Sequence, residues 1–174
     1  MRRAQKPFVI AMIGLVGSGK SYIAERLSHT LGASHLCTDD ARVRLRRRGR
    51  PMHKAISLLR RRAEFLLRQG KSVILDSDFI NPAKRRDLRR RATSFGARTY
   101  FIRVEAPERL ILARLRKKRY TGRDLFRNAE HAVRVHHIRK KLHEKFGGFK
   151  PDFVIDNGRP LKPQIEKIAG EMRS

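Results

Sequence analysis

Hydrophobic and polar positions follow two alternating patterns along the chain. Short apolar runs rich in β-branched residues are separated by longer amphipathic stretches, which is typical of strand and helix units repeated around a parallel sheet. The predicted strands cover residues 8–13, 35–37, 72–75, 99–104 and 153–155. Four of these runs are almost continuously hydrophobic, as expected when helices cover both faces of the sheet. The pattern therefore predicts an α/β fold.

Apolar residues at helical spacing, together with start and stop signals, predict the helices. Residues 21–31 end at Gly32, and residues 52–69 end at Gly70. Two Xaa-Pro pairs, at residues 81–82 and 106–107, mark further helix starts, and the remaining predicted helices cover 124–142 and 163–172. In the helix over 52–69 a stripe is expected to face the core, formed by Met52, Ile56, Leu59, Ala63, Leu66 and Leu67.

Length and composition limit the organisation of the chain. The sequence has 174 residues with 40% hydrophobic content, which fits one domain over residues 1–174. The apolar runs are too short to span a bilayer, and no signal-type segment precedes the first strand. Cys37 is the single cysteine and cannot form an internal disulfide, which suits a reducing compartment. We expect a soluble, cytoplasmic protein.

A glycine-rich loop gives the strongest functional signal. Residues 14–21 match the motif G-x-x-x-x-G-K-[ST] between a predicted strand and a predicted helix, the context that this motif requires. Its backbone N–H groups and the helix N-terminus can bind phosphates, Lys20 can reach the β and γ phosphates, and Ser21 can complete a Mg²⁺ shell. The residues expected to hold the nucleotide here are Gly14, Gly17, Ser18, Gly19, Lys20 and Ser21. An ordinary glycine turn would not need the last two.

Carboxylates follow two of the predicted strands, where ligands of open α/β sheets bind. Asp39 and Asp40 come after the second strand, and Asp76 and Asp78 come after the third. A carboxylate near the γ-phosphate can accept the proton of an attacking hydroxyl, and one at the third strand can support Mg²⁺ and its waters. Alternatively, Asp39 or Asp40 caps the next helix, and Asp78 caps a turn instead of contacting substrate.

Residues 114–119 read Arg-Leu-Arg-Lys-Lys-Arg after an amphipathic helix. A cationic segment in this place could close over a triphosphate, because a planar guanidinium can bind two phosphate oxygens at once. A charge run is also often a solvated helix face. Spacing alone does not decide between these interpretations for Arg114.

In content and order, these motifs resemble the zeta toxin and polynucleotide kinase-like group of small P-loop kinases, often described as an AAA-type ATP-binding domain. The resemblance covers nearly the whole chain. Beyond the phosphate loop it includes Thr-Asp-x-x-Arg at residues 38–42, a strand ending in Asp76, Asn-Pro at 81–82 followed by Arg85 and Arg86, the lid start at 111–114, and the strand end at 154–157.

The resemblance implies a three-layer P-loop sandwich with five parallel strands ordered 2-3-1-4-5, an Arg/Lys-rich lid at approximately 114–128, and ATP with Mg²⁺ as cofactors. It also implies individual roles. Asp39 activates the acceptor hydroxyl, Arg42 contacts substrate or phosphate, Asp76 supports the metal, and Arg114 binds ATP. Asp78 is kept as a candidate substrate contact from its place after the third strand, and not from the resemblance. We take Arg119 as a second lid contact, although the spacing does not settle the choice between it and Lys118.

The high positive charge of the chain indicates a candidate binding partner. The chain has 43 Lys and Arg against 16 Asp and Glu, a formal net charge of +27. Such a surface attracts polyanions, so nucleic acid is a candidate substrate or docking partner, unless a basic or salt-adapted proteome explains the charge. Arginine occupies six of the nine positions from 42 to 50, a departure from the group that could track a phosphate backbone. Few aromatic residues lie nearby, which argues against sequence-specific reading.

Three histidines lie close together in the helix predicted over 124–142, namely His131, His136 and His137. Their spacing matches no zinc signature and no cysteine accompanies them, so we interpret them as surface or interface residues.

The sequence therefore predicts transfer of the γ-phosphate of ATP to a hydroxyl acceptor, with a nucleic-acid hydroxyl as one possible acceptor. Lys20, Asp39 and Arg114 are the expected catalytic residues. Two alternatives remain open. The first is a kinase of a small molecule such as a nucleoside, sugar or nucleotide-sugar, and the second is an ATP-switched nucleic-acid-binding protein without phosphotransfer.

Overall fold

Five parallel strands form one sheet in the order β2-β3-β1-β4-β5. The structure is a computed structural model that describes residues 6–173; residues 1–5 and 174 of the predicted domain lie outside the described part. The strands are β1 (Phe8–Ile13), β2 (Ser34–Cys37), β3 (Val73–Asp76), β4 (Arg98–Glu105) and β5 (Phe153–Asp156). The predicted α/β class and the predicted strand order are confirmed.

Seven α-helices are present within residues 6–173 and cover both faces of the sheet. They are α1 (Lys20–Leu31), α2 (Thr38–Arg47), α3 (Ala55–Arg68), α4 (Pro82–Ser94), α5 (Glu108–Lys117), α6 (Ala129–Phe146) and α7 (Leu161–Arg173). Helices α1 and α7 pack on one face, while α3, α4 and α6 pack on the other. None of the helices in these residues is long and apolar enough to cross a membrane.

Strand β1 shows why the sheet needs two helical layers. Successive side chains of a strand point to opposite faces, so Ile10 and Met12 face α1 and α7, while Val9 and Ala11 face the other layer. All four are fully buried. A strand buried on both faces has no polar side, which explains the continuous apolar run in the sequence.

Helix α2 was not among the helices predicted from the sequence. Its ten residues include four arginines, and only Ala41, Val43 and Leu45 supply buried apolar side chains. Ala41 and Leu45 pack against Ala55 at the start of α3. Because arginines separate the few apolar residues of α2, the hydrophobic pattern of the sequence did not indicate a helix here.

Two other helices differ from their predicted extents. The segment predicted over 52–69 begins with a short 3₁₀ turn, Met52–Lys54, and α3 follows it. Met52 and Ile56 are 42% and 47% exposed, so the predicted core-facing stripe is wrong at its N-terminal end. Helix α6 begins at Ala129, not at residue 124, because Asn128 caps it by accepting a hydrogen bond from the backbone N–H of His131.

Candidate active site

The glycine-rich loop connects β1 to α1 and depends on glycine at two positions. Gly17 has φ of +85° and Gly19 has φ of +89°, a backbone conformation that other residues rarely adopt. A Cβ at Gly17 would come within 2.9 Å of both Ile111 and Leu115, side chains of α5 that pack against the loop. The conformation of the loop thus depends on its two glycines, and side chains of α5 pack against it.

The loop presents unpaired polar groups at the N-terminus of α1. The helix begins at Lys20, and the preceding Gly19 has no side chain to cap its first N–H groups. The Ser18 hydroxyl is buried and finds no hydrogen-bond partner among the described residues. Free N–H groups and the positive end of the helix dipole favour an anion at this position. These groups therefore fit the phosphates of a nucleotide.

Gly17→Ala is expected to weaken the binding of Mg·ATP at least about 10-fold and to lower the free energy of unfolding by about 1–3 kcal/mol. The added methyl group strains the backbone and clashes with α5, which displaces the loop. Gly49→Ala is the matched control, because Gly49 has φ of +63° but nothing within 4 Å of the added Cβ. The control should lose stability and keep its nucleotide affinity; equal affinity loss in both variants would contradict this account.

Asp76 ends β3 and lies beside the loop. Lys20 Nζ is 3.6 Å from Oδ1, and His35 Nε2 is 3.4 Å from Oδ2. Burial by itself would raise the pKa of this carboxyl group, but the hydrogen bond from His35, the charge of Lys20 and a hydrogen bond from Ser21 together lower the pKa to about 2. Asp76 is therefore ionised at neutral pH. An ionised carboxylate beside the Ser21 hydroxyl is a donor set that fits Mg²⁺.

The pKa of Asp76 predicts a pH-dependent contribution to stability. The pKa falls from 3.8 to about 2 on folding, so the contribution is complete above pH 3.8 and is lost as the pH falls toward 2. A shift of this size corresponds to about 2 kcal/mol. Urea unfolding of the wild type and of Asp76→Asn should show a stability difference that shrinks by about 1.5 kcal/mol between pH 5 and pH 2.5, because part of the contribution remains until the pH is below 2.

Asp87→Asn is the control for this measurement, because the Asp87 carboxylate is 41% exposed and its ion pairs with Arg90 and Arg91 are screened by solvent. It should show a much smaller change over the same pH range. A wild-type to Asp76→Asn difference that is constant from pH 5 to pH 2.5 would rule out the ionic role of Asp76.

Asp39 lies in the first turn of α2, which begins at the end of the strand next to β3. The register of β2 and β3 pairs Cys37 with Asp76, and Asp39 follows two residues later. Its carboxylate is half exposed and accepts a hydrogen bond of 3.0 Å from Arg42. Neither Asp39 nor Asp40 is the N-cap residue of α2, which is Cys37. The capping alternative is therefore wrong, and the Asp39 side chain is available to a ligand.

Cys37 is partly buried at the end of β2, opposite Asp76 of β3. Burial and the nearby charge of Asp76 raise the pKa of its thiol to about 12. A thiol with such a pKa is not a nucleophile at neutral pH. Cys37 is therefore not a candidate nucleophile at this site.

Asp78 has a partner that sequence reasoning missed. His143 of α6 donates a hydrogen bond of 2.9 Å to Oδ2 of Asp78, while Oδ1 is buried and finds no partner among the described residues. Burial raises the pKa of Asp78, but the hydrogen bond from His143 and the charges of His143 and Lys20 lower it below its usual value. One oxygen of this carboxylate is thus free for a ligand. No signal in the sequence links His143 to Asp78, because the two residues are 65 positions apart.

Arg114 points toward the phosphate loop from the last turns of α5. Its Nη2 donates to the carbonyl of Asn157 at 3.2 Å, and its Nη1 is buried without a partner among the described residues. The same Nη1 lies 3.7 Å from the position of a Cβ on Gly19. Asn157, the residue after β5, also donates from Nδ2 to the carbonyl of Ser18 at 2.7 Å. A guanidinium group with one buried, unpaired nitrogen beside the loop is suited to an anionic ligand.

The segment that the sequence predicts as a lid comprises the end of α5 and the loop over residues 118–128. Lys118 forms an ion pair with Asp124, whereas Arg119 is exposed. Arg46 of α2 reaches across and donates hydrogen bonds to three carbonyl groups of this loop, those of Gly122, Asp124 and Leu125. The loop is therefore fastened to α2.

The arginine run over residues 42–50 is divided by the structure. Arg42 is paired with Asp39, and Arg46 holds the lid loop. The remaining four are exposed at the end of α2 and beyond it, namely Arg44, Arg47, Arg48 and Arg50. Of the six arginines in this run, only these four are exposed and unpaired enough to contact a polyanion.

Five parallel strands in the order 2-3-1-4-5, with a glycine-rich loop between the central strand and the first helix, define the fold of P-loop kinases. A family model described as AAA domain matches residues 9–141, which is most of the chain. The chain therefore belongs to this AAA domain family. A comparison with curated proteins found no match.

Solved kinase structures share the fold along their full length. A proposed kinase from Chloroflexus aurantiacus J-10-fl has a TM-score of 0.72 and 19% identity, covering 97% of this chain and 98% of that chain. A gluconokinase from Sinorhizobium meliloti 1021 has a TM-score of 0.62 and 17% identity, covering 99% and 94%. An APS kinase from Mycobacterium tuberculosis, solved with AMPPNP and APS, has a TM-score of 0.60 and 16% identity, covering 97% and 99%. At these identities the likeness shows the fold alone.

Proposed function

We propose that the protein transfers the γ-phosphate of ATP, bound with Mg²⁺, to the hydroxyl group of an acceptor. The observation that carries this proposal is the position of Asp39. Its half-exposed carboxylate lies in the first turn of α2, two residues after Cys37, which pairs with Asp76, and Asp76 contacts Lys20 of the phosphate loop. A protein that only bound or sensed a nucleotide would not need a second, accessible carboxylate here.

The residues divide into those that hold the nucleotide and those that act on the acceptor. The loop glycines, Ser18 and Lys20 would hold the phosphates, Ser21 and Asp76 would hold Mg²⁺, and Arg114 with Arg119 would bind from the lid side. Arg42 and Asp78 would contact the acceptor, Asp78 through its unpaired oxygen. Bound ATP·Mg²⁺ supplies the phosphoryl group.

Asp39 accepts the proton of the acceptor hydroxyl as the oxygen of that hydroxyl forms a bond to the γ-phosphorus. The bond between this phosphorus and the bridging oxygen to the β-phosphate breaks, and ADP leaves with that oxygen. Lys20 and Arg114 stabilise the negative charge on the phosphate oxygens as this exchange proceeds. The charges balance because Asp39 retains the proton until it is released to solvent.

Each of two acceptor classes has a supporting observation. A cleft of about 160 Å³ lies between α3 and α4, and it includes Thr38 and Ser77 beside the proposed catalytic groups. Its walls are largely apolar, formed by side chains such as Leu59 and Leu88, and a cavity of about this size holds a benzene-sized group. This supports a small-molecule acceptor. The four exposed arginines at the end of α2 support a nucleic-acid acceptor instead.

A screen with labelled ATP tests the function. Purified protein should phosphorylate at least one hydroxyl compound in a panel of nucleosides, sugars, nucleotide-sugars and RNA or DNA oligonucleotides. A complete lack of transfer across that panel, with nucleotide binding intact, would contradict the proposal and favour a nucleotide-dependent binding protein.

Salt dependence distinguishes the two acceptor classes. A single-stranded nucleic acid that contacts four arginines should lose about 50-fold in affinity between 50 mM and 200 mM salt, from a slope of about −0.7 per phosphate contact. A compact metabolite should show a far smaller loss. Replacing all four exposed arginines by Gln should flatten the slope for a nucleic acid and leave a small acceptor unaffected.

The proposal extends to the kinase group, the domain organisation and the location of the protein. We assign the chain to the zeta toxin and polynucleotide kinase-like group on the motifs at residues 38–42, 73–76 and 154–157, as one P-loop kinase domain with its lid at approximately 114–128. The single cysteine supports a cytoplasmic location.

A further inference from the structure

His136 was expected to be a surface or interface residue, and it is fully buried between α5 and the phosphate loop. Its Nδ1 lies 3.0 Å from the carbonyl of Val16, a residue of the loop itself. A carbonyl oxygen only accepts, so Nδ1 carries the proton and donates this hydrogen bond. Nε2, on the other side of the ring, is buried and has no hydrogen-bond partner among the described residues. An unpaired buried nitrogen of this kind is uncommon and calls for a ligand.

The groups that face this nitrogen are a carboxylate and a second imidazole. Oε1 of Glu108, in the first turn of α5, lies 3.6 Å from Nε2 of His136. His137 follows on α6, and the donor atoms of Glu108, His136 and His137 all lie within 4.8 Å of one another. A lone pair on Nε2 facing a carboxylate at this distance is unfavourable unless a cation lies between them or Nε2 carries a proton.

We propose that Glu108, His136 and His137 form a binding site for a divalent transition metal ion, with Zn²⁺ as the best match. Two imidazole nitrogens and one carboxylate oxygen are donors that suit Zn²⁺ better than Mg²⁺, and three protein ligands leave a fourth position for water. Glu108 and His137 are exposed, so their side chains can move the short distance needed to bring all three donors to about 2.0–2.2 Å from the ion.

The surrounding hydrogen bonds match those of metal sites. A histidine ligand usually donates its other ring N–H to a carbonyl or carboxylate group, as His136 does to Val16. Lys140 donates to Oε2 of Glu108 at 2.7 Å, which orients the carboxylate so that Oε1 faces the histidines. The ammonium group of Lys140 and the net positive charge of the chain oppose a cation, so the ligands must outweigh this repulsion.

The site would connect three parts of the active region. The metal ion would join α5, which carries Arg114, to α6, and through His136 it would fix the carbonyl of Val16 in the phosphate loop. The metal ion would have a structural role. Within residues 6–173, none of its three ligands contacts Asp39 or Lys20.

Metal titration of the full chain, prepared without a histidine tag and treated with a chelator, tests the proposal without ATP or acceptor. Zn²⁺ should bind with one ion per chain and raise the melting temperature, and Co²⁺ in its place should give the visible absorption of a site with nitrogen ligands. His137→Gln and Glu108→Gln should each weaken binding at least about 10-fold, which is what loss of even a supporting partner costs.

Two further variants separate loss of the metal ligand from loss of a histidine elsewhere on α6. His131→Gln is the control, because His131 lies on the same helix but contacts Phe126 outside the cluster. His136→Asn keeps a donor for Val16 in place of Nδ1 and removes Nε2, so it should fold and lose the metal. Absence of Zn²⁺ binding in the wild type, or unchanged binding in His137→Gln and Glu108→Gln, would overturn the site and leave a proton on Nε2 to balance Glu108.

Discussion

Replacing Asp39 by Asn is expected to lower the rate of phosphoryl transfer by about 10²–10⁴-fold, the range that general-base catalysis contributes. Asparagine has nearly the same shape but cannot accept the proton of the acceptor hydroxyl. The affinity for Mg·ATP should change little, because Asp39 lies on α2 and not in the phosphate loop. Single-turnover rates with labelled ATP, measured alongside nucleotide affinity, separate these two effects.

Asp40→Asn is the matched control, since Asp40 is the next residue of the same helix and its side chain is exposed. Both substitutions remove one negative charge from the first turn of α2, so any general effect on the helix dipole is shared. A rate unchanged in Asp39→Asn, or an equal fall in both variants, would remove Asp39 from the mechanism.

The second large effect is expected for Arg114→Ala, with a fall in transfer rate of about 10³-fold or more. The reason is that the buried, unpaired Nη1 of Arg114 lies beside Gly19, where it can stabilise charge on the phosphate oxygens. Rates should be compared at saturating ATP, so that weaker binding does not count as slower chemistry.

Arg116→Ala is the control for this substitution, because Arg116 lies two residues further along α5 and is exposed. Arg114→Lys adds a second comparison, since lysine keeps the charge but loses the planar fork that can bind two oxygens. Arg114→Ala also leaves the Asn157 carbonyl without its donor, so urea unfolding should confirm that the variant is folded. Equal rates in Arg114→Ala and Arg116→Ala would contradict a role for the buried guanidinium.

Much of the fold could be predicted from the sequence because parallel strands covered on both faces leave a strong signal. Strand β1 was predicted with its observed bounds, since all its positions are apolar and a glycine-rich loop follows immediately. The order of the strands came from the resemblance to P-loop kinases and not from the residues alone. It could not have come from periodicity, which is a local property and carries no information on which strands pair.

Local errors arose where tertiary contacts replace local signals. Ile56 fits the helical stripe of α3 by spacing, yet it lies beyond the part of the helix that the sheet covers and is 47% exposed. Helix α2 is held by a small contact of Ala41 and Leu45 with the start of α3, which arginine-rich flanks conceal. Neither outcome can be read from hydrophobic spacing along a single segment.

The sequence predicted most residues of the candidate site, but it did not predict the hydrogen bonds that α6 makes to them. Lys20, Asp39, Asp76 and Arg114 were all named from motifs, and the structure brings Lys20 and Asp76 within 3.6 Å. The partners that complete the region are His143 on Asp78 and His136 on the phosphate loop, both from α6. These contacts join residues 65 and 120 positions apart, which no motif records.

Calorimetric titration with Mg²⁺ and a non-hydrolysable ATP analogue tests the central claim most directly, namely that the loop over residues 14–21 binds a nucleoside triphosphate. Binding of one analogue per chain is expected, with the affinity severely reduced in Lys20→Ala, a variant whose folding is checked by circular dichroism. If folded wild-type protein gives no heat of binding with ATP, GTP or their analogues, the claim is contradicted.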